Sequence, residues 1–521
     1  MAAKIYIAKE ETSQEILEEV KKQSAGGLAP KNMIQFQAQP MDGASKIRWQ
    51  AGNTVIDGQT LVEVKGIMIR RSEDDYPVDI SSGELVLNTE DLEGSYVDAG
   101  LTNGTTYYYT AFPYSGNGVY NLNGGIRVLL SHPNRSKVTV VAHKLYGFKR
   151  AKTNTNPQTR IVYTDMAAGM QKAILNSSTG EVDLNDWADA WFVTGNRPCM
   201  MKYDGTIDYY LDPSDYSKKE DGTASDIANE SYEGNAMALI PTVWVKRWSD
   251  DNYDYTQISN IQVDDDFKAY AHQREDGTVM DWFARSIYDA TVINNVARSL
   301  SGYTPSNTVA GNLQLQYAQA NGDLWESDTW SRVALIWDLL TLMSCSDDVQ
   351  ASWGYGYYTG MSEAAHLKKS GTGDTKGQFY GKAANEVVKV FHFENFWGNI
   401  WKLMQGFLTD SKVRPLIKMT RPYSSAGEGY HLINKVLGGT NGGYQSAHYN
   451  SEYGLIPITA SGSQTTYIPD GLWFAANCFA RFGSYGYDGF LVGRAVSVNH
   501  ALSYSIWNFG VALTCEQPSV A

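Results

Sequence analysis

Hydrophobic and polar positions alternate with a period of two through much of the first third of the chain. From Asn32 to about Val138 the stretches IQFQAQ, KIRWQ, VKGIMIRR, ELVLNT, TTYYYTAFPY and IRVLL follow one another, separated by turn-rich segments such as MDGAS and SGNGVYN. Successive side chains on a strand point to opposite faces, so this pattern predicts half-buried β-strands. Ahead of it, residues 10–22 (EETSQEILEEVKK) take a helical period, with acids leading and lysines trailing as the helix dipole favours. So short a helix is marginal alone and is expected to pack or oligomerise. The linker SAGGLAP (24–30) ends it.

Beyond Ala142 the periodicity is mixed. Residues 329–344 (TWSRVALIWDLLTLMS) place Trp330, Val333, Ile336, Trp337, Leu340 and Met343 three and four apart, which predicts a helix. A second helix is expected over 281–300 (DWFARSIYDATVINNVARSL) and a third over Phe393–Phe407 (FENFWGNIWKLMQGF). Gly- and Tyr-rich loops such as SWGYGYYTG and GGTNGGYQSAHYN lie between and after them. No second linker and no repeat interrupts this region. The expected organisation is a helix and linker over 1–30, an all-β sandwich over 31–140, and a large α+β domain with long irregular loops over 141–521.

Composition narrows the chemistry. A chain of 521 residues has ample length for two to four domains with real cores. It carries 34 Tyr, 14 Trp and 48 Gly, an enrichment that fits loop-rich β structure and binding proteins better than a helical enzyme. The net charge of −14 disfavours a nucleic-acid surface or an anionic membrane, both of which need a basic footprint. The acidic runs Asp250–Asp254 and Asp264–Asp266 read as solvated faces; no Gly-punctuated EF-hand loop surrounds them, and Ca²⁺ is the one cofactor they leave open. Four cysteines, Cys199, Cys345, Cys478 and Cys515, show no CxxC spacing, so neither structural zinc nor a redox dithiol is indicated. Buried free thiols are favoured over a Cys478–Cys515 bridge. No apolar h-region follows Lys4 and Lys9, and no run of 18 or more apolar residues occurs, so neither a signal peptide nor a membrane span is expected. The chain is expected to be made soluble in a cytoplasm.

The C-terminal stretch from Trp473 to Phe509 crowds Gly, Ser, Asn, Tyr and Phe between two tryptophans, and no Lys follows Lys435. Tyr and Trp offer rigid contact area, while Ser, Gly and Asn adapt their hydrogen bonding to a partner. A Gly-rich set of irregular strands and turns gives the same composition, so the two readings stand level on composition alone. Signals for catalysis are weaker. No HExxH or GxSxG occurs, Gly354-Tyr-Gly356 and Gly371-Thr-Gly373 are not phosphate loops, and His392 and His448 read as core or loop hydrogen-bonders. A glycosidase pair among the acids would leave no sequence trace.

Two resemblances sharpen this picture. Leu101-Thr-Asn-Gly-Thr-Thr-Tyr107, followed by alternating Tyr109, Ala111 and Pro113, resembles the fibronectin type III signature of Leu, Gly-Thr and the corner tyrosine entering strand F; Trp49 stands where that family places a strand-B core tryptophan. The resemblance implies a spacer or adhesion module. Glu394-Asn-Phe-Trp397-Gly398-Asn399-Ile-Trp401, ahead of Gly/Asn-rich strands and a terminal W…GVAL strand, resembles the C-type lectin-like fold of the formylglycine-generating-enzyme and variable-protein lineage. Tyr146-Gly-Phe, Tyr163 and Gly169-Met resemble the opening of large phage adhesion modules. Formylglycine-generating enzymes bind copper through a closely spaced cysteine pair, and the 37-residue separation of Cys478 and Cys515 departs from that pattern.

The resemblance implies a non-enzymatic phage tail or receptor-binding protein diversified at its C-terminus by a retroelement. Its partners would be a host-cell surface receptor, glycan or protein, and other virion proteins docked through the N-terminus, with the chain a homotrimer located in the virion. Nucleic acid and membrane spans play no part. Glu394, Trp397 and Trp401 would be structural, with the two tryptophans on one helical face. The ligand surface implied by the family is the final hairpins and their loops, and its exposed alternates would be Asn477, Phe479, Arg481, Ser484, Tyr485, Tyr487, Asp488, Arg494, Asn499, His500, Tyr504 and Ile506. A structural virion protein decorating capsid or baseplate without receptor specificity, and a bacterial surface adhesin, are the alternatives.

Overall fold

The computed structural model describes residues 27–56, 59–124, 133–357, 363–483 and 493–519. The helix expected over 10–22 and the strand IRVLL lie outside these residues. The chain divides into two compact units, 1–143 with 519–521, and 144–518. With 41% of residues in strands against 9% in helices, it is mostly β, further toward β than an α+β expectation for the larger unit.

In the smaller unit the alternation seen in the sequence becomes two antiparallel sheets. One orders Gln35–Met41, Ala44–Gln50 and Glu93–Ala99; the other orders Glu84–Thr89, Val64–Ser72, Thr106–Ser115 and Arg135–Thr139. Their inner positions, among them Phe36, Ile47, Trp49, Ile67, Ile69, Tyr107 and Tyr109, form one core. The Trp49 indole donates to the Asp91 carbonyl at 3.0 Å and lies on Gly94 of the neighbouring strand, where a Cβ would come within 2.9 Å of the ring. Asp98, also buried, accepts from Arg71 at 2.7 and 2.8 Å and from the Tyr109 hydroxyl at 2.7 Å. Burial, then the Asp98 hydrogen bond, pushes the Tyr109 phenol well up, so it stays a donor.

The larger unit is built around the helix Trp330–Ser344, whose 15 residues are all buried. Apolar residues lie on every side of it, the mark of a helix with no solvent face, and its few polar residues are buried with them. Thr329 caps it by accepting the Arg332 N–H, and Cys345 ends it in the left-handed region at φ 50°. Trp330 meets Phe407 edge-on at 5.1 Å and Trp337 at 6.1 Å. Around the helix lie a four-stranded sheet (Ile161–Asp165, Leu145–Ala151, Tyr253–Ser259, Trp244–Ser249), a seven-stranded sheet closed by Leu513–Glu516 and Trp325–Ser327, and a ten-stranded sheet centred on Trp401–Thr409.

Two of the three helices expected in the larger unit are not helices. Residues 281–300 form the strand Trp282–Ser286 and then a hairpin, Thr291–Ile293 with Val296–Arg298. Asn294 and Asn295 turn it with φ of 53° and 64°, the left-handed pair that a tight two-residue hairpin requires. Over Phe393–Phe407, Asn395, Gly398 and Asn399 all hold positive φ, which breaks any helix, and Trp401–Thr409 continues as a strand. Trp397 and Trp401 therefore share no helical face, although both are buried. The Trp397 indole donates to the Gly354 carbonyl at 3.1 Å. Buried Glu394 accepts from the Gly371 and Gly373 N–H groups at 2.9 and 2.7 Å, and burial pushes its carboxyl up. The four cysteines are free thiols. His392 bonds the Tyr216 hydroxyl and His448 bonds Gln445 at 2.9 Å.

Most charges inside this core are paired. Asp347, fully buried just past the helix, accepts from Arg150 Nε and Nη2 at 2.6 and 2.7 Å and from Arg494 Nη1 at 3.1 Å, with Arg160 Nε 3.7 Å away. Burial pushes the Asp347 carboxyl up, but Arg150, with Arg160 and Arg494 behind it, outweighs that and holds it at about 2. An unfolded Asp titrates near ~3.9, so the folded value is the lower one; the stabilisation is complete above that pH and is lost as pH falls through about 2. Asp347→Asn leaves three buried guanidiniums without their anion and should cost about 3–5 kcal/mol at neutral pH. Urea denaturation measures this, and the variant should also lack the wild type's loss of stability between pH ~4 and 2. Trp397→Ala should cost ~3–5 kcal/mol through lost transfer and a cavity; a variant melting like the parent would refute the placement of this ring.

Candidate functional site

The C-terminal face rests on two antiparallel strands, Phe479–Phe482 and Val496–His500, flanked by Trp401–Thr409 and Ile468–Phe474. Ala480, Phe482, Val496 and Val498 face the main core, so these strands cannot slip without exposing it. The turn before them is tied down by one side chain. Thr409 Oγ1 donates to the Ala475 carbonyl at 2.6 Å and accepts the Cys478 N–H at 3.0 Å, while the Asn477 N–H reaches the Asp410 carbonyl at 3.2 Å. Asn477 is thereby presented outward at φ 55°, a conformation its short polar side chain tolerates.

At the other end of the face, His500 stacks on Tyr504 with ring centroids 4.2 Å apart and planes 8° from parallel. Both rings stand edge-on to Phe509, at 5.4 and 5.9 Å. The turn carrying Tyr504 closes through its N–H to the Ala501 carbonyl at 3.2 Å, and Tyr504 is 41% exposed. Burial, then Arg481, holds the His500 imidazole below its ordinary range, so it is neutral at neutral pH. Asn499 accepts from the Ser497 hydroxyl at 2.6 Å, which orients its amide.

Trp473 and Trp507 bracket this region. Trp473 meets Trp401 at right angles, 5.5 Å between centroids, in a seat made by two glycines. A Cβ at Gly471 would lie 2.4 Å from its ring and one at Gly442 would lie 2.7 Å from its Nε1. Trp507 packs on the cluster of Tyr357, Leu367, Tyr380, Val387 and Ile400. Ile506 packs with Trp401, Ala495 and Phe509.

The structure separates the twelve expected face residues. Asn477 and Tyr504 are exposed, and Phe479, Asn499, His500 and Ile506 are half-buried. Ser484, Tyr485, Tyr487 and Asp488 lie outside the described residues. Arg481 and Arg494, expected as exposed donors, are both buried. Arg494 turns inward to Asp347 and to Thr341 Oγ1 at 3.1 Å, because a carboxylate waits there that the linear order gave no sign of. Arg481 lies with its guanidinium carbon 4.2 Å over the Phe509 ring, and only Nη1 has an acceptor, the Phe479 carbonyl at 3.4 Å. The glycine seat of Trp473 was also missed; Gly442 and Gly471 are visible in the sequence, but their convergence on one indole is not.

What remains exposed can stack and hydrogen-bond: an aromatic pair, a half-buried Phe and Ile, and two amides on a backbone that cannot move freely. A separate open cavity of about 200 Å³ is lined by Gln158, Lys172, Ala173, Ser344, Ser346 and Ser352 among others. The hydroxyls of those three serines donate to the Leu340, Pro157 and Asp348 carbonyls of the chain itself. No protein-family model matches the chain, and no curated protein matches it.

The seat of Trp473 makes a direct prediction. Gly471→Ala drives a Cβ into the indole and should cost about 1–3 kcal/mol by overpacking. Gly438→Ala, where nothing lies within 4 Å of the added atom, serves as the control and should melt within about 0.5 kcal/mol of the parent. Equal denaturation midpoints for both variants would show that Trp473 is not held in this way.

Proposed function

We propose that this chain is a non-enzymatic phage tail or receptor-binding protein that recognises a host-cell surface receptor through its C-terminal face. One observation carries the reading: Asn477, Phe479, Asn499 and His500 stand half-exposed or exposed on backbone fixed by Thr409 and by a buried sheet, with Tyr504 stacked on His500 and Ile506 packed beside Trp401 from the turn that follows. Rigid aromatic anchors with adaptable amides around them are the composition of a paratope. In this reading the larger unit is a C-type lectin-like domain of the variable-protein type. The burial of Glu394, Trp397 and Trp401 supports it, with Trp401 packed against Trp473 and Phe509.

The smaller unit is proposed as a fibronectin type III-like spacer. Its sheet orders, three strands against four, support this, as does the Tyr107 hydroxyl accepting the Thr102 N–H at 3.1 Å, the bond of a corner tyrosine. No helix among the described residues is long and apolar enough to cross a membrane. Residues 10–22 are proposed to join three copies and to dock other virion proteins, so that modest sites gain strength by avidity.

The test uses full-length chain bound to a panel of bacterial strains. Asn477→Gly keeps the left-handed turn while removing the amide, and Tyr504→Ser removes the exposed ring. Together they should cost the fold no more than about 1 kcal/mol, because both side chains lie at the surface. Attachment should fall at least about tenfold if these are hot-spot residues. A double variant that unfolds, or that folds and attaches like the parent, sinks the proposal; the second result would favour a structural virion protein without receptor specificity.

A further inference from the structure

Among the described residues Arg481 differs from the other buried arginines: Arg160, Arg332 and Arg494 each lie within 4 Å of a carboxylate of the chain, and Arg298 is met by the Glu230, Tyr232 and Gly234 carbonyls. Arg150, Arg247 and Arg285 each turn the Nε/Nη2 edge of the guanidinium onto a carboxylate of the chain: Asp347, Asp338 and Asp328. That edge is the fork that takes both oxygens of a carboxylate at once. Arg481 is as deeply buried as these, at 0% exposure, yet its Nε and Nη2 are buried with no partner. A desolvated cation without an anion is among the most costly arrangements a core can hold.

The surroundings of the empty edge add to the same imbalance. Nη2 points to the first residue of the helix Gly311–Gln319, where a Cβ on Gly311 would lie 3.3 Å from it. That helix has no side-chain cap, and its N-terminus carries the positive end of the helix dipole. A guanidinium and a helix N-terminus facing each other repel unless an anion lies between them. Burial lowers the Arg481 guanidinium to about 10, which leaves it charged at neutral pH.

We infer that the Nε/Nη2 edge of Arg481 and the first turn of helix Gly311–Gln319 form the seat of a carboxylate that none of the described residues supplies, brought by an acidic saccharide. The saccharide class follows from what lies beside the seat. Tyr504 presents its ring on the outer side of the His500 stack, with Phe479 and the Asn499 amide nearby on the paired strands, a surface suited to sugar C–H groups and hydroxyls. Leu502 closes the seat: its side chain and carbonyl lie over Gly311, and its carbonyl takes the Asn312 N–H at a long 3.3 Å. Leu502 belongs to the turn 501–505, which is otherwise exposed, so entry requires only that this turn lift and that the ligand carboxylate replace the Leu502 carbonyl. That the saccharide belongs to a cell surface rests on the proposed receptor-binding role; the carboxylate seat itself does not.

The experiment is calorimetric titration of full-length chain with glucuronic acid and N-acetylneuraminic acid, with glucose, acetate and chloride as the neutral and free-anion arms. One or both sugar acids should bind, glucose should not, and Arg481→Met should weaken the acids at least tenfold. Because Arg481→Met removes an unpaired buried charge, it should melt at or above the parent temperature. Arg481→Lys keeps a charge without the fork and should also lose the acids. Acetate binding in addition to the sugar acids supports the seat. Chloride binding alone, an adventitious ion only, overturns it, as does no binding by any acid. An Arg481→Met protein that melts well below the parent overturns it too, since the guanidinium would then be satisfied within the fold. Loss of acid binding in Arg481→Met with attachment to cells intact supports the seat while counting against the attachment role, so the two readings fail separately.

Discussion

A helix with no solvent face imposes its terms on everything around it. Trp330–Ser344 is buried along its whole length, so the larger unit has to wrap it with sheets from widely separated parts of the chain. Its two charged residues, Arg332 and Asp338, are carried into the core with it. Each then needs an opposite charge from elsewhere: Arg332 finds Glu326 at 2.8 Å, and Asp338 finds Arg247 Nε at 2.8 Å. The cost of leaving either unpaired exceeds what such a pair contributes, so these contacts specify where segments must meet more than they add stability.

The same logic runs through the rest of the unit. Asp347 joins a strand near residue 150, the loop carrying Arg160 and the turn at Arg494 that leads into the strand Val496–His500, three segments distant in the chain. Arg285 is tied to Asp328 and packed over Phe393, Phe396 and Phe482. Lys402 reaches Asp289 at 3.2 Å and the Asn395 carbonyl at 2.7 Å, which holds the left-handed loop ahead of it. Against this pattern the free edge of Arg481 stands out as a vacancy in charge pairing beside the exposed His500–Tyr504 stack.

The paired strands of the C-terminal face, and the turn of Asn477, are held for reasons that lie beneath them. Thr409 pins the turn of Asn477, two glycines seat Trp473, and Phe509 backs both His500 and Arg481. Exposed groups therefore sit on a frame whose own residues are fully committed to the core. Such a division lets outward side chains change without unfolding the strands that carry them.

Some of this was legible in the linear order. Alternation between Asn32 and Val138 became two facing sheets, and the three-four spacing from Trp330 to Met343, with Thr329 ahead of it, became a capped helix; both signals depend on neighbours close in the chain. Where the chain turns through left-handed residues the local signal misled. The apolar spacing of Phe393–Phe407 reads as a helix, but Asn395, Gly398 and Asn399 adopt positive φ because Trp397 must reach the Gly354 carbonyl and Trp401 must pair beside Phe509. Likewise Arg481 and Arg494 look like surface donors in a Gly- and Ser-rich stretch. Their burial was decided by Phe509 and the Gly311 helix in one case and by Asp347 in the other. Sequence alone determined which segments could bury a face, since periodicity is a property of each segment. Tertiary structure decided which charges lost their water and which partners they met, since that depends on residues brought together from opposite ends of the chain.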